Sequence, residues 1–299
     1  MRTHTVGTRV ELKNILFLTD FSEPSEAALP FAISFARAND ARVFVLHVLR
    51  PDPLLYTTPE AAVRAQETQE ETAKLEMQRI EAHLAGLPHE TNMEWGTGVW
   101  HVIERTIREN KIDLLVVGTH GRTGAQRLLL GSVAEEIFRR SNVPVLTIGP
   151  SVRIGVHGGA RFHRVLFATD FSKHSLAAWP YATSIAQENE ARLMLLHVVP
   201  LENAKNELKL GEMPKENPET SLHRLLPKME ELGSRPETIV EQGDPAKRIL
   251  AVAKERGADL IVIGVRNTAS HMGAATHIER ATAHRVVANA QCPVLTVRE

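Results

Sequence analysis

Cysteine is nearly missing from this 299-residue chain: Cys292 stands alone, which rules out an internal disulfide and fits a reducing compartment. Neither sign of charge prevails. Thirty-five Lys and Arg oppose 36 Asp and Glu, a formal net charge of −1, so there is no global pull toward nucleic acid or an anionic membrane. No apolar run approaches the roughly 18 residues needed to span a bilayer. The start, MRTHTVGTRVELKN, has none of the apolar stretch of a secretory leader. A soluble, cytoplasmic protein is expected. The length favours about two domains, and 43% hydrophobic residues could give each its own core.

The chain is written twice. At a constant offset of 150, residues 13–50 match residues 163–200 at 19 of 38 positions without a gap. The match resumes with DLLVVG from Asp113 against DLIVIG from Asp259, and with VPVLTI from Val143 against CPVLTV from Cys292. A period this long makes each copy a whole domain, 1–150 and 151–299, with a linker around the Gly-rich stretch 149–162.

Within the first copy, short apolar runs at 14–19, 42–48, 113–117 and 143–148, and a more amphipathic one at about 91–95, alternate with helical patterns. Helices are predicted over 22–38, 59–85, 98–110 and 131–141. The second copy repeats the strands at 164–169, 192–198, 236–241, 259–263 and 293–298. Its second helix should be short or irregular because of Pro214, Pro218 and Pro227. Apolar strands alternating with helices imply right-handed crossovers and a parallel sheet covered on both faces. The fold class is therefore α/β: two tandem doubly wound domains, each with five parallel strands.

Ligands of such sheets sit beyond the carboxyl ends of the strands. The first strand ends in Thr19-Asp20-Phe21-Ser22, where Asp20 could accept hydrogen bonds from a ligand or serve a turn, with Ser22 the better helix cap. His47, inside an apolar strand, reads as a core histidine, while Val48 at the strand's end could offer backbone groups to a planar base. The fourth strand runs into GTHGRTGAQRLLLGS, Gly118 to Ser132. No Gly-Lys pair occurs in the chain, which excludes a Walker loop. Gly96-Thr-Gly98-Val-Trp-His101 lacks the third glycine of a dinucleotide fingerprint. The Gly118 stretch instead joins strand to helix. Gly118 and Gly121 leave room for a ligand's approach. Unpaired amides at 131–133, the Ser132 hydroxyl and Arg122 or Arg127 suit an anion. An ordinary loop with a Gly-Ser helix cap is the plainer alternative.

The chain resembles the universal stress protein family. The ATP-binding pattern of that family, G-x2-G-x9-G-[ST], is complete from Gly118 through Gly121 to Gly131-Ser132, beside TD at the first strand and LHV at the second. The likeness covers nearly the whole chain. It implies adenine nucleotide alpha hydrolase-like, flavodoxin-like layering. It also implies ATP with Mg²⁺ held mostly by the phosphates, Asp20 and Val48 on the adenosine, and Gly118, Gly121, Gly131, Ser132 and Val133 along the phosphates, with Arg122 as a neighbour. Family members pair through their last strands, so the two copies should form an internal pseudo-dimer, alone or as a dimer of such chains.

The second copy departs from the pattern. Asn267 replaces the second glycine, nine further residues lead to His277-Ile278, and alignment backward from Pro293 sets Arg280-Ala281 where Gly131-Ser132 stand. One competent ATP site, in the N-terminal copy, is the expectation, serving a nucleotide-dependent regulatory or stress role. A slow ATPase and a nucleotide-independent scaffold are the alternatives, since no catalytic pair is recognisable. A zinc site is not expected, because His271, His277 and His284 do not share a helical face.

Overall fold

The computed structural model describes residues 10–51, 58–119, 130–152, 161–201, 217–226, 236–266 and 282–299. Gly121, Arg122, Arg127, Asn267, His271, His277, Arg280, Ala281, Pro214, Pro227 and most of the predicted linker lie outside them.

In the first copy the elements are β1 (Asn14–Leu18), α1 (Glu23–Glu26), α2 (Leu29–Asn39), β2 (Arg42–Leu49), α3 (Pro59–His83), β3 (His89–Trp95), α4 (Val99–Glu109), β4 (Leu114–Gly118), α5 (Ser132–Arg140) and β5 (Val145–Ile148). The second copy has β6 (Arg164–Ala168), α6 (Lys173–Leu176), α7 (Trp179–Asn189), β7 (Arg192–Val199), α8 (Pro218–Leu225), β8 (Glu237–Gln242), α9 (Pro245–Glu255), β9 (Leu260–Val265), α10 (Thr282–Asn289) and β10 (Val294–Arg298). They form an α/β architecture of two doubly wound domains. Alternate residues of β1 explain why both faces are covered. Ile15 and Phe17 enter a core with α2 and α3, while Leu16 and Leu18 enter another with α4 and α5.

One predicted helix is corrected. The helix expected over 22–38 is two, α1 and α2, separated at Ala27 and Ala28. Pro30 sits in the first turn of α2, where it has no N–H to give to Glu26 and its ring would meet that carbonyl in a continuous helix. In the second copy Pro218 does not interrupt a helix but opens the short α8, with Asn217 as its cap.

Among the described residues the ten strands share one sheet in the order β3-β2-β1-β4-β5-β10-β9-β6-β7-β8. The two parallel halves meet where β5 and β10 run antiparallel, pairing Val145 with Thr296, Leu146 with Leu295 and Thr147 with Val294. Thr147 Oγ1 donates to the Val294 carbonyl at 3.1 Å and Thr296 Oγ1 to the Val145 carbonyl at 3.3 Å. Thr147 and Thr296 are equivalent in the repeat, so the contact is reciprocal, as a pseudo-twofold axis requires. The internal pairing of last strands is thus present.

On one face the core runs unbroken across the junction. Phe162, just before β6, lies 6.2 Å from the ring of Phe31 and 5.6 Å from that of Phe35, both on α2. Asn39 Nδ2 also donates to Glu188 at the end of α7 at 3.3 Å. The sheet ends in β3 (HETNMEW) and β8 (ETIVEQ), whose polar, half-exposed residues suit edge strands.

Candidate functional site

The strand order reverses between β1 and β4, whose neighbours β2 and β5 lie on opposite sides. That places the candidate crevice at the carboxyl ends of β1 and β4. Beyond β1 the chain makes a tight turn. Asp20 Oδ1 accepts from the Ser22 amide at 3.1 Å and from the Ser22 hydroxyl at 2.5 Å. Thr19 Oγ1 accepts from the Phe21 amide at 2.9 Å and lies 3.0 Å from Ser25 Oγ. Ser22 Oγ caps α1 by accepting from the Ser25 amide. Phe21 between them has φ of +59°, a left-handed conformation costing about 1–2 kcal/mol for a residue with a Cβ. Its ring lies 4.3 Å from that of His47, whose Nδ1 faces the Thr19 carbonyl at 2.8 Å. His47 is therefore a buried histidine tying the ends of β1 and β2 together.

The second copy repeats this construction. Phe171 has φ of +62°, and His197 Nδ1 lies 2.9 Å from the Thr169 carbonyl. Burial of the His197 ring disfavours its charge and holds its pKa below the ordinary value, although Thr169 and Asp170 pull the other way. Burial would raise Asp170, but bonds from Ser172 and Ser175 and the charge of Arg266 prevail and lower it. Arg266, just past β9, stands 4.0 Å from the Asp170 carboxylate.

At β4 the first glycine of the pattern has a packing task. A Cβ on Gly118 would stand 2.6 Å from the Pro24 carbonyl oxygen and 3.1 Å from Ser25 Cα, so α1 packs directly on the strand. Gly264 is more tightly held, with the His174 carbonyl oxygen 2.1 Å from such a Cβ. Thr119 follows, almost wholly buried, and its carbonyl accepts from the Gly131 amide at 2.8 Å. This bond brings the two ends of the Gly-rich stretch together. Gly131 is the N-cap of α5 and, having no side chain, leaves the first amides of that helix without a side-chain bond from their cap residue. They carry the positive end of its dipole.

Of the predicted site residues, Val48 and Val133 pack against one core cluster with Leu18, Leu46 and Val117. Asp20 lies at the end of β1, and Ser132 opens α5 in an exposed position. On the other face of the sheet, a cavity of about 470 Å³ adjoins Phe21 and His47 and is backed by Ala65, Thr68, Gln69, Thr72 and Ala73, all of α3. Among the described residues no group of three or more His, Cys, Asp or Glu could hold a metal. Burial pushes the Cys292 thiol up to about 12, which leaves it inert.

Sequence reading missed the Thr119–Gly131 bond and the burial of Leu130, which looked like part of an open loop. The LLL triplet before Gly131 was the available signal.

The family model for universal stress proteins matches the chain twice, over residues 11–149 and 161–298. The chain belongs to the universal stress protein family. As a tandem universal stress protein it is similar over its length to one from Mycolicibacterium smegmatis, with 26% identity over 304 residues, covering 95% of this chain and 96% of that relative. A universal stress protein of Methanocaldococcus jannaschii is 32% identical over 142 residues, 46% of this chain and 81% of the relative. The crystal structure of a universal stress protein from Archaeoglobus fulgidus superposes with a TM-score of 0.70 at 26% identity, covering 95% of this chain and 98% of that one. Among the described residues of this universal stress protein, no helix is long and apolar enough to cross a membrane.

Proposed function

We propose that this tandem universal stress protein binds ATP at one site, in a first domain ending near residue 150, and that the bound nucleotide sets a regulatory state. The observation that carries the reading is the complete G-x2-G-x9-G-S spacing in one copy and its loss in the other. The local build of the first copy suits an anion. Gly131 is drawn to Thr119, and as the N-cap of α5 it offers the first amides no side-chain bond. In this reading Asp20 and the backbone of Val48 hold the adenosine. Gly118, Gly121, Gly131, Ser132 and Val133 follow the phosphates, Arg122 adds charge, and Mg²⁺ is held chiefly by the phosphates. In the second copy Arg266 lies within ion-pair range of Asp170, the counterpart of Asp20.

Native mass spectrometry of the purified full chain tests this. The expected spectrum with added ATP and Mg²⁺ shows one nucleotide per chain. A chain that takes up no adenine nucleotide sinks the proposal.

A further inference from the structure

Helix α5 belongs to the first domain by sequence, yet the second domain holds it at both ends. Leu130, 7% exposed and next to Gly131, packs together with Phe138 into a cluster whose other members all belong to the second domain, among them Ala283, Val287 and Ala290. The Phe138 ring also meets the His284 ring of α10 edge-on, at 5.6 Å. At the far end Arg298, from β10, donates through Nη1 to the Arg139 carbonyl at 3.1 Å and through Nη2 to the Phe138 carbonyl. Carbonyls of a helix's last turn have no partner within the helix, and a cation there complements the dipole. The next residue, Glu299, is anchored to the second domain, with its carboxylate 3.2 Å from Lys173 Nζ and 3.3 Å from His174 Nδ1.

The repeat makes the arrangement one-sided. Alignment of VPVLTIG with CPVLTVR sets Gly149 at the position of Arg298. So the arm grows only from the copy that lacks the Gly-Ser pair, and it reaches the helix that begins with one. Among the described residues the start of α5 is tied to its own domain by the backbone bond from the Gly131 amide to Thr119 and by Val133, which packs with Leu18, Leu46 and Val117. Backbone amides bind an anion well only when they are held in place beforehand.

We propose that the second domain acts as a positioning element for the nucleotide site of the first, with Arg298 as the positioning residue that holds α5 from its C-terminal end. This rests on the reading of α5 as the phosphate-binding helix. The degenerate copy then has a task that needs no ligand of its own.

ATP titrations by calorimetry on the full chain, with Mg²⁺, test it in four proteins: wild type, Arg298→Ala, Arg298→Lys and Phe162→Leu. Arg298→Ala is expected to weaken ATP about five-fold, the scale of one charge at a helix end. Arg298→Lys should recover part of the loss, since lysine keeps the charge but not the two-pronged donor. Phe162→Leu loosens the domain junction on the opposite face and should lower the melting temperature while leaving ATP affinity unchanged. Arg298→Ala affinity equal to wild type overturns the inference, as does an equal loss in Phe162→Leu, which would mean general destabilisation. If Arg298→Ala does not fold, wild-type affinity in Arg298→Lys overturns it. A wild-type chain that binds no ATP removes the underlying reading as well, an outcome distinct from binding that ignores Arg298.

Discussion

His47 stands against the Thr19 carbonyl at 2.8 Å, and 150 residues later His197 stands against that of Thr169 at 2.9 Å. In each domain a buried imidazole joins the end of the first strand to the end of the second. The turn that follows is thereby fixed, including the left-handed Phe21 and Phe171. The His of the LHV segment serves to hold the rim of the crevice.

The buried His197 ring gives the second domain a pH dependence, against which the bond to Thr169 works. Burial lowers the His197 pKa below its unfolded value of about 6.5, so the native state prefers the neutral ring. The stability is complete above that value and is lost as pH falls from it through the lower folded-state pKa. His197→Gln, which can still donate to Thr169, should show a smaller drop in urea midpoint between about pH 7.5 and pH 5.5 than wild type. An unchanged drop would remove His197 from the acid response.

Gly118→Ala should destabilise the fold by about 1–3 kcal/mol, because α1 leaves no space for the methyl group. Gly264→Ala should cost at least as much, since His174 approaches its site even more closely. Urea unfolding reads both. Neutral substitutions would mean that α1 and α6 shift readily off the sheet.

Asp20→Asn separates the turn from the ligand. The amide oxygen can still accept from Ser22, so stability should change by less than about 1 kcal/mol. ATP affinity should fall about ten-fold through loss of a charge-assisted bond to the nucleoside. Equal affinity in the variant would confine Asp20 to the turn.

Phe162→Ala should cost about 3–5 kcal/mol, because the ring is 3% exposed and packed on Phe31 and Phe35 across the domain junction. Thermal or denaturant unfolding checks it. A loss below about 1 kcal/mol would show that the β5–β10 pairing holds the domains together without the aromatic contact.

The strands were legible because runs such as NILFL and LLVV are apolar on both faces, and their repetition exposed the tandem plan. Polar β3 was caught only in part, since an edge strand such as HETNMEW needs no continuous apolar run. The single helix read over 22–38 failed at Pro30, where apolar periodicity carried across a break that the proline's missing N–H imposes. At the site, spacing alone picked out Gly118 and Gly131 but not the bond that draws Gly131 to Thr119. Spacing also gave no sign that Gly118 is pressed against Pro24. Arg298 was invisible for a different reason. Its partners, Phe138 and Arg139, are 160 and 159 residues away, and only the folded pairing of β5 with β10 brings them together.

Calorimetric titration of ATP with Mg²⁺ into wild type, Gly131→Asp and Arg280→Asp is the sharpest test of a single ATP site per chain at the start of α5. Wild type and Arg280→Asp should each bind one ATP with like affinity, and Gly131→Asp should bind none, because it sets a carboxylate at the anion site. Undiminished binding by Gly131→Asp, or two equivalent sites in the wild type, would rule out a single site at the start of α5.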